Sequence, residues 1–277
     1  MPKTASERVL VTPSSYTKSH YLYVQETGTL KSLQPHISRR EKLESFLFFI
    51  VTEGSGNLTF QNISYPIKSG DCVWLSCLES YSHESSVSSP WSLKWVHFFG
   101  PQASSFYSRY KDMGGPILFT PASISPYGEI LQALFQTQRQ KNALSDLVSH
   151  NLLTNLITQT FSDTLNRYSG ASIPEKFTKV RNYIEEHYHE KISLDQLSEL
   201  FYLSKYHLVR EYQRLFGITI LNDLTVKRLS HAKSMLRFTD ESIESIAAAS
   251  GFQTSSYFIK VFKRFENITP LEYRRKW

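Results

Sequence analysis

The sequence predicts an α+β protein of two domains, with strands in the front part of the chain and helices at the back. Three patterns support this: short apolar runs separated by turn residues up to residue 99, helical spacing after Pro126, and one helical motif that occurs twice after Glu175. The 277 residues suffice for two domains of ordinary size. We therefore expect a polar mobile arm, a strand-rich domain, a linker and an all-α domain at residues 1–20, 21–167, 168–174 and 175–277.

The front domain is predicted to begin as a small antiparallel barrel or sandwich. The apolar run FLFFIV at 46–51 is followed by the turn EGSG at 53–56, and Trp91 opens a last apolar run that ends before Gly100. Further strand-like runs lie between them at 57–60, 65–68 and 72–75. Short strands with turn signals at this spacing are typical of barrels and sandwiches.

Two helices are predicted to complete this domain. Tyr127, Ile130 and Leu134 recur at helical spacing, and Leu156 and Phe161 belong to a second helical pattern. Together the two helices carry more apolar residues than one small barrel needs for its cover. They cover the barrel, or the second of them forms the seam of a homodimer, and the sequence is compatible with both.

The segments 192–219 and 241–269 repeat one motif. A shift of 50 residues superimposes five pairs: Ser204 and Thr254, Leu208 and Phe258, Tyr212 and Phe262, Gly217 and Asn267, Thr219 and Thr269. Each copy is predicted to fold as a short helix, a tight turn and a longer helix, with Ser204 and Thr254 as N-caps of the longer helices. A tandem pair of helix-turn-helix units is typical of proteins that read DNA.

The longer helices are predicted to have one packing face and one face toward DNA. The packing residues are Leu208, Tyr212 and Leu215 or Phe216 in the first helix, and Phe258, Val261, Phe262 and Phe265 in the second. The DNA-binding residues are Lys205, Tyr206, Val209, Arg210 and Gln213 in the first helix, and Ser255, Ser256, Ile259, Lys260 and Lys263 in the second. One cationic helix face is usually just solvated, but the same bias in two capped helices favours contact with phosphates.

Two kinds of DNA contact are distinguished within these helices. A guanidinium can hold the O6/N7 edge of guanine with two hydrogen bonds, so Arg210 is predicted to be the main base-reading residue. Helix N-termini favour anions, so the backbone N–H groups near Ser204 and Thr254 are predicted to bind phosphates.

Charge and cysteine content agree with a DNA-binding protein of the cytoplasm. Lys and Arg number 31 against 25 Asp and Glu, and from residue 175 onward 17 stand against 13, so the excess leans toward the helical domain. The two cysteines, Cys72 and Cys77, are expected to be reduced thiols. The polar start MPKTASERVL is unlike a signal peptide, and no run of about 18 apolar residues follows, so no membrane association is expected.

The back domain resembles the DNA-binding domain of the AraC/XylS family of bacterial transcription regulators. The resemblance rests on the motifs SKYHLVREYQRLFG, RLSHAKSML, SIESIAAASGF and SSYFIKVFKRFENITPLEYRR. It implies base contacts by Tyr206, Val209 and Arg210 in the first unit, and by Ser255, Ser256, Ile259 and Lys260 in the second. Three residues depart from the family pattern: Asn267 replaces a glycine, and Glu266 and Asp223 replace aromatic residues. Asparagine tolerates the left-handed conformation, so the turn at Asn267 is expected to survive.

The front domain resembles the cupin-like sensor domain of the same family, through FIVTEGSGNLTFQNISYPIKSGDCVWL and WSLKWVHFFGP. This resemblance implies a small-molecule effector. Trp95 matches a position where sugar-sensing members place a tryptophan, so a sugar is the first candidate, and Tyr81 and His83 are the other ligand-binding candidates. The whole chain is expected to be a cytoplasmic homodimeric activator with double-stranded DNA and RNA polymerase as partners.

No metal site, cofactor or active site is predicted. The histidine common in cupins falls on Tyr81 by resemblance, which leaves His83, His97 and the more distant His36 as too few ligands. No nucleophile elbow, phosphate-binding loop or paired-carboxylate motif occurs, so the protein is not expected to be an enzyme. Two alternatives stay open: a cupin enzyme with an appended helical domain, and a dimeric DNA-binding protein without an effector.

Overall fold

The computed structural model describes residues 4–34, 37–168 and 175–276. It divides into two compact units, Met1–Arg167 and Tyr168–Trp277. The described residues of the front unit form strands and helices, and those of the back unit form helices, which confirms the predicted α+β fold. Most of the predicted linker at 168–174 lies outside the described residues, and so do His36 and Trp277.

The front unit contains two antiparallel sheets. Its strands are β1 (Thr4–Leu10), β2 (Tyr23–Ser32), β3 (Ile37–Arg40), β4 (Phe46–Glu53), β5 (Ser55–Phe60), β6 (Ile63–Lys68), β7 (Cys72–Ser76), β8 (Tyr81–Ser85), β9 (Ser92–Phe99) and β10 (Leu118–Phe119). Its helices are α1 (Ser15–His20), α2 (Ala103–Asp112), α3 (Ser125–Arg139) and α4 (Ser145–Tyr168). One sheet has the order β1-β2-β9-β4-β7-β10, and the other has the order β3-β8-β5-β6.

The position of β4 explains why the run FLFFIV is apolar throughout. Successive side chains of a strand point to opposite faces. Leu47 and Phe49 enter the core between the two sheets, whereas Phe46 and Phe48 pack on the other face with residues of α2, α3 and α4. Both faces of β4 are therefore buried, which is why polar residues do not alternate with apolar ones in this run. Tyr127 and Leu134 of the predicted helices are buried in this second core, so α3 covers the sheet.

The segment 4–20 is not the mobile arm that the sequence predicted. β1 pairs with β2 from Thr4 opposite Ser32 to Leu10 opposite Glu26, and α1 follows it. Most side chains of β1 are polar and exposed at the edge of the sheet, so its ladder hydrogen bonds define the strand rather than a buried apolar face. Because apolar and polar residues do not alternate in β1, the sequence did not predict a strand there. The short strands β3, β8 and β10 and the helix α2 were missed as well.

The back unit consists of helices in its described part. They are α5 (Glu175–His187), α6 (Leu194–Leu200), α7 (Lys205–Phe216), α8 (Ile220–Phe238), α9 (Ile243–Ala249), α10 (Ser255–Glu266) and α11 (Pro270–Lys276). We call α6 with α7 the first reading unit, and α9 with α10 the second. Among the described residues, no helix of the chain combines the length and the apolarity needed to cross a membrane.

Each reading unit has its own hydrophobic core, and α8 belongs to both. The first core contains Ile220 and Leu224 from the beginning of α8. The second contains Leu229, Ala232 and Leu236 from the rest of the same helix. One helix thus contributes to both cores, so its length sets the separation of the two units.

Candidate nucleic-acid interface

The predicted N-caps of α7 and α10 are confirmed. The Ser204 hydroxyl accepts a hydrogen bond from the His207 N–H at 3.3 Å, and the Thr254 hydroxyl accepts one from the Tyr257 N–H at 3.2 Å. Each cap satisfies one of the backbone donors that a helix leaves unpaired in its first turn. The remaining N–H groups give both helix starts a partial positive charge on the exposed surface.

The two helices also end alike. Gly217 closes α7 at φ 74°, and Asn267 closes α10 at φ 61°, so both C-caps are left-handed. Asparagine is one of the few residues with a side chain that adopt this conformation readily. The expectation that the turn survives the replacement of glycine at Asn267 is confirmed.

On α7 the two faces lie as predicted. The packing residues Leu208, Tyr212 and Leu215 are buried, and Phe216 is half-buried. The predicted DNA-binding residues form the opposite side: Lys205, Tyr206, Arg210 and Gln213 are exposed, and Val209 is partly exposed. The structure therefore brings all five together on one accessible surface.

On α10 one packing residue was predicted wrongly. Phe258, Val261 and Phe262 are buried, but Phe265 is 38% exposed, because it lies at the edge of the apolar stripe. The predicted DNA-binding residues again share one surface: Ser256, Ile259, Lys260 and Lys263 are exposed, and Ser255 is partly exposed.

The cations of the first unit are paired within the protein. The Nε of Arg210 lies 3.3 Å from Oε1 of Glu211, and the Nε of Arg214 lies 2.7 Å from Oε2 of the same carboxylate. Burial alone would raise the pKa of Glu211, but Arg214 and Arg210 lower it overall. Lys205 forms a 2.5 Å ion pair with Asp195 of α6. Much of the positive charge of α7 is therefore offset before any ligand arrives.

The pairing also orients Arg210. Its guanidinium carbon lies 5.5 Å from the ring centroid of Tyr206, one turn earlier on the helix, and Tyr206 is 75% exposed. Glu211 holds the guanidinium by Nε, while the Nη groups are the atoms that could form a two-bond contact. The sequence pattern alone did not reveal this clamp.

The second unit presents its cations differently. Lys260 and Lys263 are exposed, and neither forms an ion pair with any of the described residues. The neighbouring Arg264 packs its guanidinium carbon 5.2 Å from the ring centroid of Phe265. Lys260 occupies the position of Arg210 in the 50-residue repeat, so equivalent sites carry a clamped guanidinium and an unclamped ammonium.

The interiors of the two units differ at a second pair of equivalent positions. The Tyr212 hydroxyl donates to Asp223 at 2.6 Å, and the Nε of Arg181 lies 3.3 Å from the same carboxylate oxygen. The second unit has Phe262 and Tyr273 at the matching positions, with ring centroids 5.4 Å apart in an edge-to-face contact. Asp223, which departs from the family pattern, is thus the acceptor of a buried tyrosine.

The departure at Glu266 has a similar local reason. Its Oε1 accepts a hydrogen bond from the Lys233 ammonium of α8 at 2.9 Å. Phe216 is the matching residue of the first unit, and its ring centroid lies 4.7 Å from the guanidinium carbon of Arg181. An ion pair in one unit therefore takes the place of a cation–π contact in the other.

Backbone contacts hold the second unit against the loop that precedes the first. Arg228 of α8 donates to the carbonyl oxygens of Tyr188 and Glu190, each at 2.7 Å. Gly251, at φ 80°, lies so close to this loop that an added Cβ would be 2.6 Å from the Tyr188 carbonyl oxygen. These contacts bring together residues at least 38 positions apart, so no local sequence pattern could have indicated them.

The three predicted ligand-binding residues of the front domain line one cavity. This cavity has a volume of about 260 Å³ and lies between the two sheets. Its lining consists of Arg8, Glu26, Leu30, Ile37, Ser38, Arg39, Arg40, Leu47, Phe49, Tyr81, His83, Leu93, Trp95 and His97. Tyr81 and His83 come from β8, and Trp95 comes from β9. We call this space the effector cavity.

A glycine makes room for the indole of Trp95. Gly28 of β2 is opposite Trp95, and an added Cβ would lie 2.8 Å from its Cη2 atom. On the other side of Gly28 is Arg8, whose guanidinium carbon is 5.9 Å from the indole centroid. Trp95 and Arg8 therefore form one wall of the effector cavity, with Gly28 leaving room for the indole.

The floor of the effector cavity is neutral at pH 7. Burial, helped by the charge of Arg40, lowers the pKa of His97 to about 4. The Nδ1 of His97 lies 3.1 Å from the Ser45 hydroxyl and 3.8 Å from the Cys77 sulfur, and burial raises the pKa of that thiol to about 11. Within the described residues, no three His, Cys, Asp or Glu side chains come together as metal ligands.

Two family models match the chain. An AraC-like ligand binding domain matches residues 24–157, and a helix-turn-helix domain matches residues 197–276. Both fit the two units in order and kind. Since the family consists of transcriptional regulators, the alternative of a cupin enzyme is wrong.

Three proteins illustrate what the chain is similar to. An uncharacterised helix-turn-helix transcriptional regulator of Staphylococcus aureus is 34% identical over 56% of this chain, which spans only 21% of that regulator. The MmsAB operon regulatory protein of Pseudomonas aeruginosa is 24% identical over 100% of this chain and 89% of its own length. The C-terminal domain of AraT, a response regulator of Geobacillus stearothermophilus, is 28% identical with a TM-score of 0.37, over 38% of this chain and 88% of that domain.

Proposed function

The chain belongs to the AraC family of transcriptional regulators, and we propose that it binds specific sites in double-stranded DNA under the control of a small-molecule effector. The observation that carries the proposal is the pair of capped helices α7 and α10, each with its apolar face buried and its donor-rich face in solvent. Two such helices suit two successive major-groove faces, which lie about 34 Å apart along B-DNA.

The two helices divide the work in this proposal. In α7, Arg210 reads bases with two hydrogen bonds, and the surrounding contacts come from Lys205, Tyr206, Val209 and Gln213. In α10, Lys260 and Lys263 bind phosphates, and Ser255, Ser256 and Ile259 lie toward the bases. The N-termini at Ser204 and Thr254 each hold a phosphate with backbone N–H groups.

We further propose that the front domain supplies the regulation. The effector occupies the cavity lined by Tyr81, His83 and Trp95, with its ring against the indole. The chain acts in the cytoplasm as a homodimer, with α4 as the candidate seam, and activates transcription through contact with RNA polymerase. A dimer places two tandem reading units on one operator, which raises the affinity through multivalency.

The test is site selection followed by a salt titration. The full chain is used to select sites from a random DNA library, and the dissociation constant of the enriched site is measured from low to high salt. We expect one enriched sequence that spans about two helical turns per protomer, and a straight line of log affinity against log salt from counterion release. A library without an enriched sequence, or an affinity that is flat with salt, would falsify the proposal.

A further inference from the structure

The rim of the effector cavity carries an excess of positive charge, and the meaning of that charge rests on the proposed sensor role of the front domain. Among the described lining residues, the charged ones are Arg8, Arg39, Arg40 and Glu26. Arginine stays protonated at any physiological pH. The one carboxylate of this described lining, that of Glu26, lies 3.4 Å from an Nη atom of Arg8 and offsets one of the three charges.

Strand pairing places Arg40 on the inner side of the sheet. Arg40 is opposite Tyr81, and Ser38 is opposite His83, in the antiparallel pair of β3 and β8. Side chains of directly opposed residues lie on the same face of a sheet. Tyr81 is buried in the core between the sheets, so the side chain of Arg40 starts on that side as well. The positive charge of Arg40 also helps to lower the pKa of buried His97.

The cavity changes character with depth. Its innermost residues, among them Leu47, Phe49 and Leu93, are apolar and buried, and His97 beside them is neutral at pH 7. Trp95 lies partly exposed on the wall. The guanidinium groups lie at the solvent-exposed rim, since the side chain of Arg8 is 50% exposed and Arg40 is exposed. An occupant therefore meets an apolar floor, an aromatic wall and a cationic rim.

We infer that the effector is a small organic oxyanion whose ring lies on Trp95 and whose carboxylate or phosphate group binds the Arg40 guanidinium at the rim. A planar guanidinium matches both kinds of oxyanion with two parallel hydrogen bonds. A neutral sugar would stack on the indole but would have no negative charge to pair with the arginines of the rim. The binding site then discriminates by charge between the effector and neutral ring compounds of the same shape.

The experiment uses matched triplets that share one ring and differ in one group. The tryptophan fluorescence of the full chain is followed while glucose, glucuronate or glucose 6-phosphate is added, then the corresponding galactose compounds, then benzyl alcohol, benzoate or benzyl phosphate. We expect at least one oxyanion to bind about tenfold or more tightly than its neutral partner, equivalent to about 1.4 kcal/mol. The carboxylate and phosphate members show which oxyanion the site prefers.

Three variants and one control variant tie the signal to the cavity. Trp95→Phe should remove most of the fluorescence change, because Trp95 lines the cavity whereas the other described tryptophans, Trp74 and Trp91, do not. Arg40→Gln, and independently Arg8→Gln, should abolish the preference for the oxyanion. Lys31→Gln removes a charge from β2 outside the cavity and should keep the preference. Thermal unfolding of each variant confirms that it is folded.

The inference is overturned if no oxyanion of the panel binds more tightly than its neutral partner, or if Arg40→Gln keeps the preference. DNA binding of the same preparation separates this failure from that of the proposed function. A neutral ligand bound by a protein that still selects a DNA site would leave the regulator intact and refute only the charge of its effector. Oxyanion binding without salt-dependent DNA binding would refute the regulator instead.

Discussion

The two reading units have the same arrangement of helices, caps and turns, but their side-chain contacts differ in the interior and on the surface. Their helices start at equivalent hydroxyl caps, Ser204 and Thr254, and end at equivalent left-handed residues, Gly217 and Asn267. Inside, a polar network around Tyr212 in the first unit replaces the aromatic contact of the second. The comparison teaches that the same caps and turns can hold one backbone geometry around two different interiors.

The surface difference assigns different roles to equivalent positions. Arg210 is clamped by Glu211 and lies over Tyr206, whereas Lys260 has no ion pair with a described residue. A guanidinium with restricted orientation suits a contact of defined geometry, and a mobile ammonium suits a phosphate. We therefore expect the first unit to supply more of the sequence preference and the second more of the general affinity.

The largest expected effect tests this division at Arg210. Arg210→Ala should lower affinity for the selected site by about 10- to 100-fold, which corresponds to about 1–3 kcal/mol, while affinity for random DNA changes little. Binding of both DNAs is measured at one salt concentration. Arg210→Lys, which keeps the charge but cannot form two parallel bonds, should lose nearly as much specificity. An equal loss of affinity for both DNAs would mean that Arg210 contacts a phosphate. The proposed difference between the two reading units would then be wrong.

The next effect concerns the interior. Tyr212→Phe should lower the free energy of unfolding by about 2 kcal/mol, because Asp223 loses a buried charged hydrogen bond. Urea denaturation followed by circular dichroism measures the change. Phe262→Ala would create a cavity and is a poor control, so the matched variant is Tyr202→Phe, which removes the same hydroxyl from a side chain that is 89% exposed. A loss as small as that of Tyr202→Phe would mean that the hydrogen bond from Tyr212 to Asp223 contributes nothing to stability.

Alkaline pH should weaken the same network. Burial and the hydrogen bond to Asp223 raise the pKa of Tyr212 above its ordinary value of 10.0. The folded state therefore keeps the proton that the unfolded chain loses, so this stability is complete below pH 10 and is lost as the pH rises above it. Between pH 9 and pH 11, about one unit on each side of that value, wild type should lose more stability than Tyr212→Phe. Parallel losses in the two proteins would contradict this.

A smaller effect is expected at Lys260. Lys260→Ala should weaken binding to all DNA sequences alike and reduce the slope of log affinity against log salt by about one. The measurement is the same salt titration for wild type and variant, with Lys18→Ala in α1 of the front unit as the control for net charge. A change in site preference without a change in slope would assign base reading to Lys260 and erase the difference between the units.

The smallest effect concerns the left-handed caps. Asn267→Gly should change the free energy of unfolding by only a few tenths of a kcal/mol, because both residues adopt φ 61° with little strain. Asn267→Ala should cost about 1 kcal/mol, since a Cβ without a compensating polar group disfavours this conformation. Thermal unfolding of the two variants measures the difference. If they were equally stable, backbone strain would not be the reason for asparagine at this position.

The sequence predicted those parts of the fold whose signal is local. The faces of α7 and α10 followed from apolar periodicity, and Asn267 was compatible with a known backbone requirement. β1 gave no signal, because an exposed edge strand needs no apolar alternation. Phe265 was misplaced because hydrophobicity alone does not locate the border of a buried stripe.

The site was predicted as a set of residues but not as an arrangement. The sequence indicated Arg210, but not the carboxylate of Glu211 that orients it. Arg8 and Arg40 line the effector cavity from strands that the sequence did not reveal, so the charge of the rim was unknown before the structure. Contacts between residues distant along the chain depend on tertiary packing, which periodicity and spacing do not describe.

The length of helix α8 sets how the two reading units are rotated relative to each other about the helix axis. Its 19 residues span about 28 Å at about 1.5 Å per residue, and the two cores are attached to its opposite ends. One extra residue in α8 would lengthen it by only about 1.5 Å but would turn everything beyond it by about 100°. The exposed face of α10 would then turn by the same angle relative to the exposed face of α7. Insertions of about seven residues would restore the angle to within about 20° but would lengthen the helix by about 10.5 Å, so the angle and the separation of the two units cannot both be kept by inserting residues in α8.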